Sequence, residues 1–332
     1  MRRAGPLIDE SGGPAFLAYV ASGFSRTCRR IIRRMLLKLL AAASALCVLA
    51  VAGLPAQGTF KEPPVTNEAW TKPFPGFRIV GNVYYVGTYD LASYLITADQ
   101  GHMLVNTGVG SSVPMIQANV ESLGFRFGDI RLLLATHGHW DHVGGMAAIK
   151  RLTGARMLMH EADVPVLEDG GNSDFRFLPK GRGTVYEPVR VDQRLRDGDT
   201  VRLGGTALTV HHHPGHTRGA TSFTFTVREG GRDYRVGIIN MNGINQGVQL
   251  LKSPGYPGIV EEYAQTFARQ KQLSIDVFLS SHAGQFRLHE KYTPGAPYDP
   301  NRFVDPDGFR AAVERTEKNY LDQLQKERQG SR

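Results

Sequence analysis

The stretch THGHWDH, residues Thr136 to His142, puts three imidazoles and one carboxylate into six positions directly after the apolar run Leu132-Leu133-Leu134-Ala135. Neither core packing nor a turn requires such a crowd. On an extended or turning backbone, residues two apart point the same way, so His137 and His139 can grip one ion together while Asp141 and His142 turn toward a second. Imidazole nitrogen and carboxylate oxygen are the donors that a borderline cation such as Zn²⁺ prefers. The stretch therefore reads as half of a two-metal hydrolytic site.

Two further histidines stand at comparable places. His216 lies in a Pro-Gly turn after the strand-like TALTV, and His282 follows the apolar run DVFLSS. Three separate strand ends that each offer a histidine are what a shared metal rim looks like. His211, His212 and His213 lie on the strand itself and read as structural, as do His102, His160 and His289.

The elements that must position these groups are short. Strand-like runs (RIVGNVYYVGT, ASYLITAD, HMLVNTG, IRLLLATH) alternate with turns. VGGMAAIKRLTG reads as a helix closed by Gly154, followed by the strand ARMLMH. The Gly-rich stretch from Glu168 to Gly183 is long enough to act as a flap, with Phe175 and Phe177 available to cover a substrate. The second half repeats the layout, with helical faces formed by Ile259, Tyr263 and Phe267 and by Phe309, Val313, Tyr320 and Leu324. Two mixed β-sheets packed face to face and flanked by helices are expected, an α/β fold in one catalytic domain spanning residues 78–332.

The 332 residues carry a formal charge of +8, which at first suggests an acidic partner. Its distribution excludes that reading. Residues 1–56 hold eight Lys/Arg and two acids; of the totals of 39 and 31, this leaves 31 basic and 29 acidic residues, or +2, for the remainder. Nucleic acid is thus not an expected partner. The basic RRIIRRMLLK running into the apolar segment 39–54, with LPAQ offering cleavage after Ala56, resembles an export leader. A start at Met35 gives a compact Sec signal, whereas a start at Met1 makes RRMLLK similar to a twin-arginine signal. A retained membrane anchor is the alternative, although the segment is short against the roughly 20 residues of a span. The leader implies a periplasmic or secreted protein with no stable anchor after cleavage, and residues 57–77 read as a Pro-rich N-terminal arm. Nothing argues for an oligomer, so a monomer is expected.

Both cysteines, Cys28 and Cys47, fall in the leader, so the mature chain has only nitrogen and oxygen donors for a metal. Leu46 in the SAL preceding Cys47 argues against a lipoprotein cleavage site.

THGHWDHVGG, HHPGHTRGAT and SSHAGQF, with DGGNSDF and LHEKY, resemble the metallo-β-lactamase superfamily and most closely its subclass B3 β-lactamases, from about Trp70 to the C-terminal helix. The resemblance implies an αββα sandwich and two Zn²⁺ ions. His137, His139 and His216 would hold the first, and Asp141, His142 and His282 the second. It implies hydrolysis of the β-lactam amide of penicillins, cephalosporins and carbapenems by metal-activated hydroxide, with Asp141 also holding the nucleophile. The missing cysteine separates the chain from the other lactamase subclasses. Lactonases and thioesterases of this fold carry a bridging aspartate, and the matching stretch YRVGIINMNGINQG, with Asn240, Met241 and Asn242, has no acid.

Met241 stands where B3 enzymes often have serine, which removes a polar group near the second zinc. Asn106 stands where the superfamily usually has aspartate, a position that tunes ligand orientation. Phe175, Met241, Asn245 and Ser280 are the candidate pocket residues. The alternatives are another hydrolase of the same fold, opening lactones or thioesters, and a zinc-binding protein without turnover.

Overall fold

The computed structural model describes residues 60–330, apart from residues 179, 182, 242, 253 and 254. The leader, the first residues of the arm, and Asn242 lie outside the described residues. Residues from Thr59 to Arg332 cluster as one compact unit.

The first sheet has seven strands in chain order. β1 (Phe77–Val80), β2 (Val83–Tyr85), β3 (Tyr94–Ala98) and β4 (Gly101–Val105) form an antiparallel meander. Helix α1 (Val113–Ser122) then crosses to β5 (Ile130–Leu134), which pairs in parallel with β4. The short α2 (Trp140–Val143) and α3 (Met146–Thr153) lead to β6 (Arg156–His160), and α4 (Val164–Glu168) to β7 (Gln193–Leu195), both strands again parallel. As expected, α3 stops at Gly154, which takes a left-handed φ of 70°.

The second sheet has the order β12-β11-β10-β9-β8. Its strands β8 (Thr200–Leu203), β9 (Thr206–His212), β10 (Thr221–Glu229) and β11 (Arg232–Ile239) are antiparallel. After α5 (Ile259–Gln270), β12 (Val277–Ser280) joins β11 in parallel. The short α6 (Leu288–Lys291) and the long α7 (Pro306–Gln329) complete the chain.

Strand alternation explains the layers. In β5, Leu132 and Leu134 enter the core shared with Val210, Phe223 and Ile238 of the second sheet. Leu133 faces the other way and packs with Ile116, Val120, Met146 and Ile149 of α1 and α3. The second sheet is covered in turn by Tyr263 and Phe267 of α5 and by Phe309, Val313, Tyr320 and Leu324 of α7, the stripes read from the sequence. Two mixed sheets flanked by helices are therefore the observed fold.

The expected arm departs from its reading. Phe77 belongs to β1, and the preceding residues are bound to the body: Glu62 accepts from the Gly110 N–H, Phe74 is buried, and Trp70 meets Trp140 edge-on at 5.6 Å. Periodicity cannot reveal this, because an irregular segment that packs through single aromatics leaves no repeat.

Candidate metal centre

β5 delivers His137 to the end of the sandwich. Asn106, just after β4, sits at φ 61°, fully buried, and accepts the Thr136 N–H at 2.9 Å while donating to Thr136 Oγ1 at 3.1 Å. Thr136 Oγ1 in turn lies 3.3 Å from His137 Nδ1. Asn106 thus reaches the expected ligand His137 through Thr136. His139 occupies the N-cap of α2, so Asp141 and His142 ride on its single turn.

The β9–β10 connection carries His216, and the residue after β12 and Ser281 is His282. All six expected ligands converge. His137, His139 and His216 each offer a donor atom within 4.8 Å of the others, and His137, Asp141 and His142 form a second such group. The His137 ring is shared between them, with centroids 4.7 Å from His139, 4.4 Å from His142 and 4.6 Å from His216. His282 Nε2 is 3.6 Å from Asp141 Oδ2, and its ring centroid is 4.9 Å from that of His142.

Three of the imidazoles have a polar partner behind them. His216 Nδ1 is 2.7 Å from the Gly243 carbonyl, and the Asn245 amide donates to the His216 carbonyl at 3.1 Å. His282 Nδ1 is 3.1 Å from Asp90 Oδ2, an oxygen that also accepts from Trp70 Nε1. His139 Nε2 is 3.4 Å from Asp174 Oδ2, which Arg176 holds through its guanidinium. Such partners fix the tautomer and aim the other nitrogen at a cation.

Electrostatics favour a metal at the three-histidine group. Burial, reinforced by neighbouring imidazoles, lowers the His137 pKa well below the ordinary histidine range and brings that of His216 down to about 3. Burial also lowers His142, despite Asp141 beside it. Neutral rings keep their lone pairs. Burial pushes the Asp141 carboxyl up, but His142 and His282 outweigh it and hold Asp141 well below the carboxylate range. Burial alone would depress His282, yet Asp141 and Asp90 lift it to about 9. Among the described residues the buried His137 Nε2, His139 Nε2 and His142 Nδ1 have no hydrogen-bond partner, Asp174 standing in ion-pair range of His139 at 3.4 Å. An unpaired buried nitrogen is costly, and a divalent cation would satisfy that of His137, whose ring adjoins both groups of donors.

The pocket candidates fare less well. Ser280 is fully buried, with its Oγ 2.7 Å from the Ile239 carbonyl and 2.6 Å from Gln285 Oε1. It faces the interior, because it lies within β12 while the rim begins two residues later. Met241 is also drawn into the inter-sheet core, at 6% exposure, and acts through its backbone: its carbonyl accepts from Gly243 N–H in the turn that presents the Gly243 carbonyl to His216. Phe175 is no free flap tip. Its ring packs edge-on against Tyr256 at 4.9 Å, where it also lines a cleft of about 180 Å³ with Asp163, Asp174, Thr217 and Arg218. Asn245 stands half-buried beside His216. His211 and His213 bond Thr224 and Ser222 on the sheet, consistent with structural roles.

Asp90, Asp174 and Gly243 escaped sequence reasoning. Asp174 lies in DGGNSDF, a stretch already distinctive in the sequence; Asp90 and Gly243 carried no local signal.

Comparison with known proteins supplies the context. A sequence model of the metallo-β-lactamase superfamily matches residues 88–229. A class B3 di-zinc metallo-β-lactamase from an Alaskan soil metagenome is 45% identical with a TM-score of 0.77, covering 80% of this chain and 99% of that one. A metallo-β-lactamase from Elizabethkingia meningoseptica is 42% identical with a TM-score of 0.78, covering 82% and 100%. Among curated proteins, an uncharacterised Mycobacterium tuberculosis protein is 36% identical over 94 residues, 27% of this chain and 42% of its own length. A hydroxyacylglutathione hydrolase of Rhodopseudomonas palustris is 29% identical over 137 residues, 41% of this chain and 44% of its own length. The chain thus spans under half the length of these curated relatives.

Proposed function

This chain belongs to the metallo-β-lactamase superfamily, and from that premise we propose that it is a subclass B3 enzyme hydrolysing the β-lactam amide bond with two zinc ions. One observation carries the reading: six nitrogen and oxygen donors from three strand ends converge, with no cysteine among the described residues and no acid in the Asn240–Asn242 stretch. His137, His139 and His216 would hold the first ion, and Asp141, His142 and His282 the second. When bound, zinc supplies hydroxide at neutral pH and an electrophile for the carbonyl oxygen.

The chain's own groups do the rest. Asp141 is kept ionised by His142 and His282 and accepts a hydrogen bond at Oδ2, which orients a water nucleophile. Asp90, Asp174 and Gly243 stand behind His282, His139 and His216, so these three ligands need not reorganise during turnover. No side-chain nucleophile is needed, and a covalent intermediate is not part of the mechanism.

The leader, with its basic run and apolar segment 39–54, supports export to the periplasm or beyond, where the mature chain acts as an unanchored monomer. No helix among the described residues is long and apolar enough to cross a membrane.

The test is hydrolysis of a chromogenic cephalosporin and a carbapenem by the chain from Gln57 onward, with zinc and with EDTA. Chelator-sensitive turnover of both is expected. Cleavage of lactones or thioesters alone would move the chain to another hydrolase of the fold. Bound zinc with no turnover would make it a non-catalytic metal binder.

A further inference from the structure

We infer that Asp163 is a positioning residue that locks the His137–His139 loop to the His216 loop and thereby sets the metal affinity of that three-histidine site. The inference rests on reading those histidines as metal ligands. Asp163 is not itself a ligand. It comes from a third segment, the turn between β6 and α4, and is 1% exposed.

Its carboxylate is engaged on both sides. Oδ2 accepts the Gly138 N–H at 2.9 Å and the Thr217 hydroxyl at 2.6 Å, and Oδ1 accepts the Gly219 N–H at 2.7 Å. Gly138 lies between His137 and His139, and Thr217 follows His216 directly, so one carboxylate touches the backbone or neighbour of all three ligands. Tyr186 Oη, 2.8 Å from the Gly138 carbonyl, pins the other side of the same residue. The approach needs glycine: a Cβ on Gly219 would come within 2.7 Å of Asp163 atoms.

Two features argue that this is more than a buried polar contact. Asp163 occupies the N-cap of α4, where an aspartate usually bonds its own helix, yet its side chain makes no capping bond. It has been turned from local work to join loops 25 and 56 positions away. Moreover, no lysine or arginine is ion-paired with it among the described residues. Three neutral donors alone hold a buried carboxylate, an arrangement that is costly unless all three stay in place.

Asp163→Asn tests this. The amide keeps one acceptor and sets its NH₂ group against the Gly219 N–H or the Gly138 N–H, so one of the bonds that tie the two loops together is lost whichever way it turns. Zinc and cobalt affinity of the folded mature chain would be measured by competition with a chromogenic chelator, alongside the cobalt absorption spectrum and a thermal melt. The expected result is a fall in affinity for the first ion of about 10- to 100-fold, with an altered cobalt spectrum. Asp192→Asn, which breaks the remote Lys150 pair, controls for stability loss and should leave both unchanged. Should Asp163→Asn fail to fold, Thr217→Val removes a single bond to Asp163 and must weaken first-ion binding in the same direction. Wild-type affinity and spectrum in a folded Asp163→Asn, or in Thr217→Val, would overturn the inference alone. A wild-type chain that binds no metal would overturn the functional reading as well.

Discussion

His282 Nδ1 and Asp90 Oδ2 lie 3.1 Å apart, although 192 positions separate the two residues in the chain. The same Asp90 oxygen accepts from Trp70 Nε1 at 3.1 Å, so a tryptophan of the N-terminal segment holds the carboxylate that aims His282. Burial raises the Asp90 pKa, but His282 and Trp70 outweigh it and keep the group ionised. Asp90→Asn should therefore lower affinity for the second ion by about 10- to 100-fold and leave the first unchanged. A stepwise zinc titration by calorimetry separates the two; equal loss at both sites would contradict the assignment.

Asn106 combines a left-handed φ with two bonds to Thr136. Asn106→Ala strips both bonds from buried partners and strains the backbone, at a cost of about 2–4 kcal/mol. Asn106→Asp keeps an acceptor for the Thr136 N–H, and the Thr136 hydroxyl can rotate to donate, so its change should stay within about 1 kcal/mol. Urea unfolding midpoints give the order: wild type near Asp, both well above Ala.

Burial lowers His213 to about 3 and His160 to about 4. Because both folded values lie below the unfolded one near 6.5, the unfolded chain takes up protons first. The associated stability is complete above pH 6.5 and drains away as pH falls toward 4. Each histidine contributes a slope of about 1.4 kcal/mol per pH unit in that window. His213→Gln should flatten the dependence of melting temperature on pH between 6.5 and 4. An unchanged slope would mean that His213 is protonated in the folded protein.

Phe175 anchors its loop on Tyr256, and a Cβ on Gly255 would collide with the Phe175 ring at 2.3 Å, so the seat is tight. Phe175→Ala should cost about 3 kcal/mol or more and release the 168–183 segment. Limited proteolysis would then cut there faster than in the wild type. Unaltered cleavage would place the anchor in Asp174 and Arg176 instead.

The convergence of the candidate ligands was legible because four sit within six residues and the other two follow apolar strand runs. Helix stripes were legible for the same reason, a period. What supports the ligands was not: Asp90, Asp163 and Gly243 are single residues whose partners lie far along the chain, and a lone carboxylate announces nothing about what it faces. Ser280 was misread because a strand's last residues alternate between rim and core, and the register decides which is which. Met241 was misread for a different reason: its part in the site is played by its carbonyl, which no side-chain reasoning anticipates.

No cysteine stands among the described residues to form a crosslink, yet the proposed first-ion ligands come from the two different sheets, His137 after β5 and His216 after β9. An ion held by both closes a loop of 79 positions and joins the halves of the sandwich like a staple that can be withdrawn. On the loop-closure scale used for disulfides, restraining a loop of that size is worth on the order of 4 kcal/mol. Zinc supply would then set not only how fast the protein works but how long it survives unfolding and proteolysis, so a chelator would shorten its lifetime as well as silence it.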